Sequence, residues 1–237
     1  VTPEAAKPTK KIAAFFDVDN TLVCGSTAIL FGKVAFTGGS IKRRDVWRFM
    51  WEHVMFIRRG EKTSKMADIK DRALMLTRGH SVKELQELVD QVYTDEIKPR
   101  LWPRTVERLK HHLEQGHEVW LVTASPVELA EVIAQDLGAT GALGTIVGHD
   151  GHVLTGELVG APLHGKAKRK AVMDLADERG ISLRRSWAYS DSVNDLPMLS
   201  AVGNQVAVNP DAQLRRYAVA AGWEILRQRR RELKGQK

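Results

Sequence analysis

From residue 99 onward, short apolar runs alternate with helical patterns, and that alternation restricts the chain to a parallel sheet covered by helices on both faces. The run "HEVWLVTAS" (117–125) reads as a strand ending in hydroxyls. "PVELAEVIAQDLG" (126–138) reads as a helix with Pro at its start and Gly at its end. "GTIVGHDGHVLTGEL" (144–158) carries Asp150-Gly151 between short β-like runs, a hairpin signal. A helix over 166–180, a strand over 184–191, a short helix over 196–203 and a strand over 205–210 follow. Far upstream, in "KKIAAFFDVDNTLV" (10–23), Ile12 to Phe16 form another apolar run bounded by charge, as a buried strand requires.

Residues 25–98 interrupt this pattern with helical periodicity alone, which predicts an all-helical insert. Its last helix opens at Ser81 with Glu84 three residues on, a capping-box pattern. The expected organisation is a discontinuous core, 10–24 and 99–222, a helical cap at 25–98, and flexible or peripheral ends at 1–9 and 223–237. In "VWRFMWEHVMFI", Trp47, Met50, Trp51, Val54 and Met55 make one helical stripe. Burial inside the cap is its ordinary reading; lining the substrate pocket, or peripheral contact with a membrane surface, is the alternative.

Composition narrows the function classes. With 237 residues, 43% of them hydrophobic and 27% charged, the chain is not of the disordered class. No apolar stretch approaches the ~20 residues of a transmembrane segment. The single cysteine, Cys24, gives no internal disulfide and suits a reducing, cytoplasmic setting. The first eleven residues lack the apolar centre of a signal peptide. A net charge of +7 points to an anionic partner, but the basic residues fall in short dispersed clusters without a nucleic-acid motif. A small anionic substrate is expected rather than nucleic acid.

Polar residues end three of the predicted strands: Asp17 and Asp19, then Thr123 and Ser125, then Asp191. Ligands of an open parallel sheet bind outside the carboxyl ends of its strands, so these residues should share a crevice. Asn194 and Asp195 follow Asp191, and Lys166 opens a helix just before that strand, with Lys168 its rival in the same basic run. Carboxylates so close repel one another unless a hard cation joins them, and Mg²⁺ takes one or two carboxylates together with water and phosphate oxygens. Lysine, hydroxyls and backbone N–H groups could then neutralise a phosphoryl group.

"DVDNTL" matches the DxDxT signature of the haloacid dehalogenase (HAD) superfamily, and Thr123/Ser125, the lysine and the Asp191-to-Asp195 spacing match its remaining motifs in order. The chain resembles the phosphoserine phosphatase-like branch, whose cap follows the first motif. The resemblance implies an α/β fold, a Rossmann-like parallel sheet core with an inserted all-helical cap, and an Mg²⁺-dependent phosphatase acting on a small phosphomonoester. It implies that Asp17 is the nucleophile that becomes an aspartyl-phosphate and that Asp19 is the general acid and base. It also implies that Asp17, the Asp19 carbonyl and Asp191 hold Mg²⁺, with Asp195 ordering its water shell. Thr123, Ser125, Lys166 and Asn194 would bind the phosphoryl oxygens.

Substrate choice departs from the branch. Ser26 stands where it has a Glu that reads the substrate ammonium, and Lys70 or Arg72 falls near its carboxylate-binding Arg. Ser190 and Ser192 replace the glycines that usually flank the first Asp of the last motif. Histidinol phosphate or a lysophospholipid are therefore alternatives to phosphoserine. A receiver-like signalling module shares the Asp, hydroxyl and Lys chemistry, but has its acidic pair on an earlier strand and no insert.

Overall fold

The computed structural model describes residues 10–37 and 78–235. Lys70, Arg72 and the Trp47–Met55 stripe lie outside the described residues. Seven strands form one sheet in the order β4-β3-β2-β1-β5-β6-β7. They are β1 (Ala13–Asp17), β2 (Glu118–Pro126), β3 (Gly141–Asp150), β4 (Val153–Val159), β5 (Trp187–Ser190), β6 (Asn204–Val208) and β7 (Glu224–Leu226). All neighbours pair in parallel except β3 and β4. That antiparallel pair closes around Gly151, whose φ of 58° is the left-handed turn conformation the Asp150-Gly151 pattern predicts.

Successive residues of β1 enter opposite cores, the period-2 consequence of a strand buried on both faces. Ala14 and Phe16 pack with Leu121, Tyr189 and Val206 beneath Leu109 of α3 (Pro103–Glu114) and Leu129 and Ile133 of α4 (Val127–Leu137). Ala13 and Phe15 pack with Val122 and Ala188 on the other side. There they meet Val172 and Leu175 of α5 (Lys166–Arg179), Met198 of α6 (Leu196–Leu199) and Leu214 of α7 (Ala212–Ala221). The result is the α/β sheet with helices on both faces expected from the alternation. Among the described residues, no helix is long and apolar enough to cross a membrane.

Two α-helices of the insert are described, α1 (Thr27–Thr37) and α2 (Val82–Val92), the second running on into a π-helical turn over Tyr93–Ile97. The capping box at α2 is formed: the Glu84 amide donates to Ser81 Oγ at 3.1 Å and the Ser81 amide to Glu84 Oε2 at 2.8 Å. The segments entering and leaving the insert run side by side. Cys24 N–H donates to the Arg100 carbonyl and Trp102 N–H to the Leu22 carbonyl, both at 2.8 Å.

The carboxyl end, expected to be flexible or peripheral, includes the edge strand of the sheet. Glu224–Leu226 adds β7 to the sheet in parallel with β6. Gln228 is buried, and its amide clamps the start of α3 by accepting from Arg104 N–H at 2.9 Å and donating to Thr105 Oγ1 at 2.7 Å. A three-residue strand is too short to carry a readable alternation, so its membership depends on the edge that β6 offers.

Candidate active site

Register brings the predicted polar residues to one end of the sheet. Asp17 lies level with Val122, one residue before Thr123, while Phe16 lies level with Tyr189, two before Asp191. The chain turns away directly after β1. Asn20 takes a left-handed φ of 58°, and Leu22 and Val23 N–H both donate to the Val18 carbonyl. Asn tolerates that conformation better than most side chains.

Asp17 is buried at the end of the central strand, and both its oxygens are held. Lys168 Nζ lies 2.5 Å from Oδ1, and Thr21 Oγ1 donates to Oδ2 at 2.8 Å. The same ammonium reaches Asp195 Oδ2 at 2.8 Å, which also accepts from Ser190 Oγ at 2.9 Å. Asp19 is held from the insert. Its Oδ1 accepts from Thr27 N–H at 2.9 Å and Thr27 Oγ1 at 2.6 Å, and its Oδ2 from Ser26 Oγ at 3.2 Å. Thr27 Oγ1 also sits 2.6 Å from Ser125 Oγ, and Ser125 N–H donates to Thr123 Oγ1. One chain of hydroxyls thus joins β2, the first turn of α1 and Asp19.

The lysine at this site is Lys168, which corrects the expectation of Lys166. Lys168, Val172, Leu175 and Ala176 form the buried stripe of α5, at helical spacing. Lys166 is two residues away, roughly 200° around the helix, and is exposed. Asn194 is also exposed; its backbone N–H bonds Ser192 Oγ. Ser26, the expected specificity position, contacts Asp19 through its Oγ. Three residues absent from the sequence-based set belong to the cluster: Thr21, Thr27 and Ser190. Thr21 was visible as the last letter of DxDxT. The other two are recognisable only once distant segments are brought together.

Four aspartates here face one lysine. Burial pushes the Asp17 carboxyl up; Lys168 opposes this, while Asp195 and Asp19 add to it. Burial would pull Lys168 down, but Asp17 and Asp195 hold it above the ordinary lysine range, so the ammonium stays charged. Asp191 is raised by burial and by repulsion from Asp17, Asp195 and Asp19. Among the described residues Asp191 has no basic partner; its one side-chain contact is Thr21 Oγ1 at 3.5 Å. A crowded carboxylate without a counter-charge fits a cation site. No three His, Cys, Asp or Glu side chains among the described residues make a metal cage. A cation joining Asp17 and Asp191 would therefore take carbonyl and water oxygens as well, a donor set that suits Mg²⁺.

A family model described as haloacid dehalogenase-like hydrolase matches residues 14–200. The phosphoserine phosphatase SerB1 of Mycobacterium tuberculosis is 47% identical over 214 residues, covering 90% of this chain and 70% of that protein. A histidinol-phosphatase of Neisseria meningitidis is 29% identical over 223 residues, covering 91% and 98%. Among solved structures, a Bordetella pertussis protein of unknown function superposes with a TM-score of 0.82 at 29% identity, covering 92% and 99%. A substrate-bound phosphoserine phosphatase shares the fold with a TM-score of 0.66 at 20% identity, covering 96% and 99%. The chain belongs to the haloacid dehalogenase-like hydrolases.

Proposed function

We propose that this chain is an Mg²⁺-dependent phosphomonoester hydrolase that works through an aspartyl-phosphate on Asp17. The observation that supports it most is the way Asp17 is presented. It is a buried carboxylate at the end of the central strand, oriented by Lys168 and Thr21. Such a group is an aligned nucleophile. An Asp17 oxygen attacks phosphorus as the ester P–O bond breaks, and Asp19 gives its proton to the leaving alkoxide. Asp19 then takes a proton from water, whose oxygen attacks the phosphoryl group and releases phosphate and the Asp17 carboxylate. Lys168, Thr123, Ser125 and Asn194 are the groups we assign to the phosphoryl oxygens, with Ser125 also steadying Thr27. The Asp17 and Asp191 carboxylates and the Asp19 carbonyl would hold Mg²⁺, with Asp195 close by, and the ion supplies positive charge to the phosphoryl group. A cytoplasmic setting suits a chain with one cysteine.

For the substrate, the names of the relatives offer phosphoserine and histidinol phosphate, and Ser26 bears on the choice. A hydroxyl gives a substrate ammonium no charge, and charge-assisted bonds are roughly twice as strong as neutral ones. In addition, Ser26 Oγ is engaged with Asp19. Phosphoserine is therefore a secondary substrate, and a phosphomonoester with an apolar portion is preferred. The test is kcat/KM across phosphoserine, histidinol phosphate and lysophosphatidic acid with Mg²⁺ and in chelator, together with trapping of the phosphoenzyme. Asp17→Asn should abolish both turnover and phosphoenzyme, and Ser26→Glu should improve phosphoserine selectively. Full activity in chelator or in Asp17→Asn overturns the mechanism. A strong wild-type preference for phosphoserine overturns only the specificity.

A further inference from the structure

A pocket lies at the end of the sheet opposite the carboxylates. His117 directly precedes β2 and Trp187 begins β5, whereas Ser125 and Asp191 stand at the far ends of those strands. The four steps from Trp187 to Asp191 span about 13 Å. Arg108, His111 and His112 of α3, Gln115 just beyond it and Tyr189 of β5 complete a wall around about 230 Å³. Nothing in the proposed phosphatase chemistry uses these residues.

The lining combines flat rings with hydrogen-bond donors, and no acidic side chain is part of it. The His117 and Trp187 rings stack at 5.3 Å and 21°, and His112 lies 5.1 Å from Trp187. His112 is buried at the back, with Nδ1 2.9 Å from His117 Nδ1 and Nε2 2.8 Å from the Tyr189 hydroxyl. Burial, then His117, His111 and Arg108, depress His112 to about 4, and burial and His111 lower His117 as well. His112 is thus neutral at pH 7 with both ring nitrogens engaged, and the fixed positive charge of the lining is Arg108. Its contact with Glu224, outside the lining, uses Nη2 at 2.5 Å, one end of a five-donor fork. An apolar cavity of about 150 Å³ accepts benzene, so this volume admits one substituted ring.

We propose that this pocket binds a small planar anion, a single aromatic ring bearing a carboxylate. The carboxylate is received by Arg108 and an imidazole N–H, and the ring lies against Trp187 and His117. Arg favours carboxylates because its planar fork matches their two oxygens, and a stack of rings favours a flat partner. The inference is independent of the substrate read at Asp17.

Benzoate is the probe, and benzylamine is the control of similar shape and opposite charge. The whole chain is titrated with each at pH 7, following the imidazole Cε1–H resonances by NMR, with and without saturating inorganic phosphate. Benzoate should bind saturably, shift His112 and His117 together, and persist in phosphate. Arg108→Gln, an exposed position, should weaken benzoate about tenfold, the size of one lost charge-assisted hydrogen bond. Benzylamine should not bind. The proposal is overturned by no saturable binding in the millimolar range, by displacement with phosphate, by equal affinity in Arg108→Gln, or by equal binding of benzylamine.

Discussion

Among the described residues, Lys168 is the one cation that touches both Asp17 and Asp195, so its ammonium ties the acidic cluster together. Removing one partner of a buried ion pair leaves uncompensated charge, typically at a cost of 3–5 kcal/mol. Lys168→Met should therefore lower unfolding stability by roughly that amount and abolish turnover. Lys166→Met, on the exposed face, should stay within about 0.5 kcal/mol and keep its kcat/KM. Urea denaturation and a phosphatase assay on the two variants check this, and a silent Lys168→Met would contradict the geometry. The same pair shows what was legible in the sequence. Asp17, Asp19 and Asp191 could be read because each ends an apolar run. The lysine needed one further step, following helical spacing from Val172, Leu175 and Ala176 back to 168. Ser190 and Thr27 could not be read, since their partners lie beyond their own elements and a hydroxyl carries no signature without its acceptor.

At the scale of elements, the first turn of α1 is what aims Asp19. A helix begins with N–H groups that lack partners inside the helix, and Asp19 supplies one from eight residues upstream by accepting from Thr27 N–H. The Thr27 hydroxyl adds a second bond and reaches Ser125 on β2. Thr27→Val keeps the backbone bond and the side-chain shape but removes both hydroxyl contacts. We expect kcat to fall by about 10- to 100-fold on alkyl phosphates, at the low end of losses for acid–base groups. The fall should be smaller on p-nitrophenyl phosphate, whose leaving group needs little protonation. Equal falls on the two substrates would mean that Thr27 does not act through Asp19. Packing of elements imposes a second constraint at Gly144 of β3, where a Cβ would stand 2.6 Å from the Val127 Cα at the start of α4. Backbone cannot yield as a side-chain tip can, so Gly144→Ala should cost about 1–3 kcal/mol in urea denaturation. That glycine lies within an apolar run, and nothing in its sequence context announced the close approach. Helices α4 and α5 were legible from their apolar spacing and their closing glycines; α3, α7 and β7 were not singled out.

Across the whole molecule, two sets of buried groups pull stability in opposite directions as pH falls, and separating them gives the last prediction. His112 is depressed to about 4 by burial first and then by His117, His111 and Arg108, against about 6.5 when unfolded. The unfolded chain therefore binds the proton in the window between, so this contribution is fully present above pH 6.5 and is lost as pH falls toward 4. Its partner His117, lowered by burial, acts in the same sense. Asp17 and Asp191 are raised, so the folded chain takes up their protons first and gains stability over the same fall in pH. Glu118 stays out of this window. Burial would raise it, but hydrogen bonds from Arg179, Lys11 and Trp120 hold it at about 2, so its contribution is lost only below about pH 4.5. A single melting curve would mix these effects. Comparing wild type with His112→Gln between pH 7.5 and 5 removes the aspartates, because both proteins carry them. The wild type should lose stability relative to the variant as pH falls, with the difference settling below pH 4. If urea denaturation at the two pH values gives the same gap between the proteins, His112 is not held neutral by the fold.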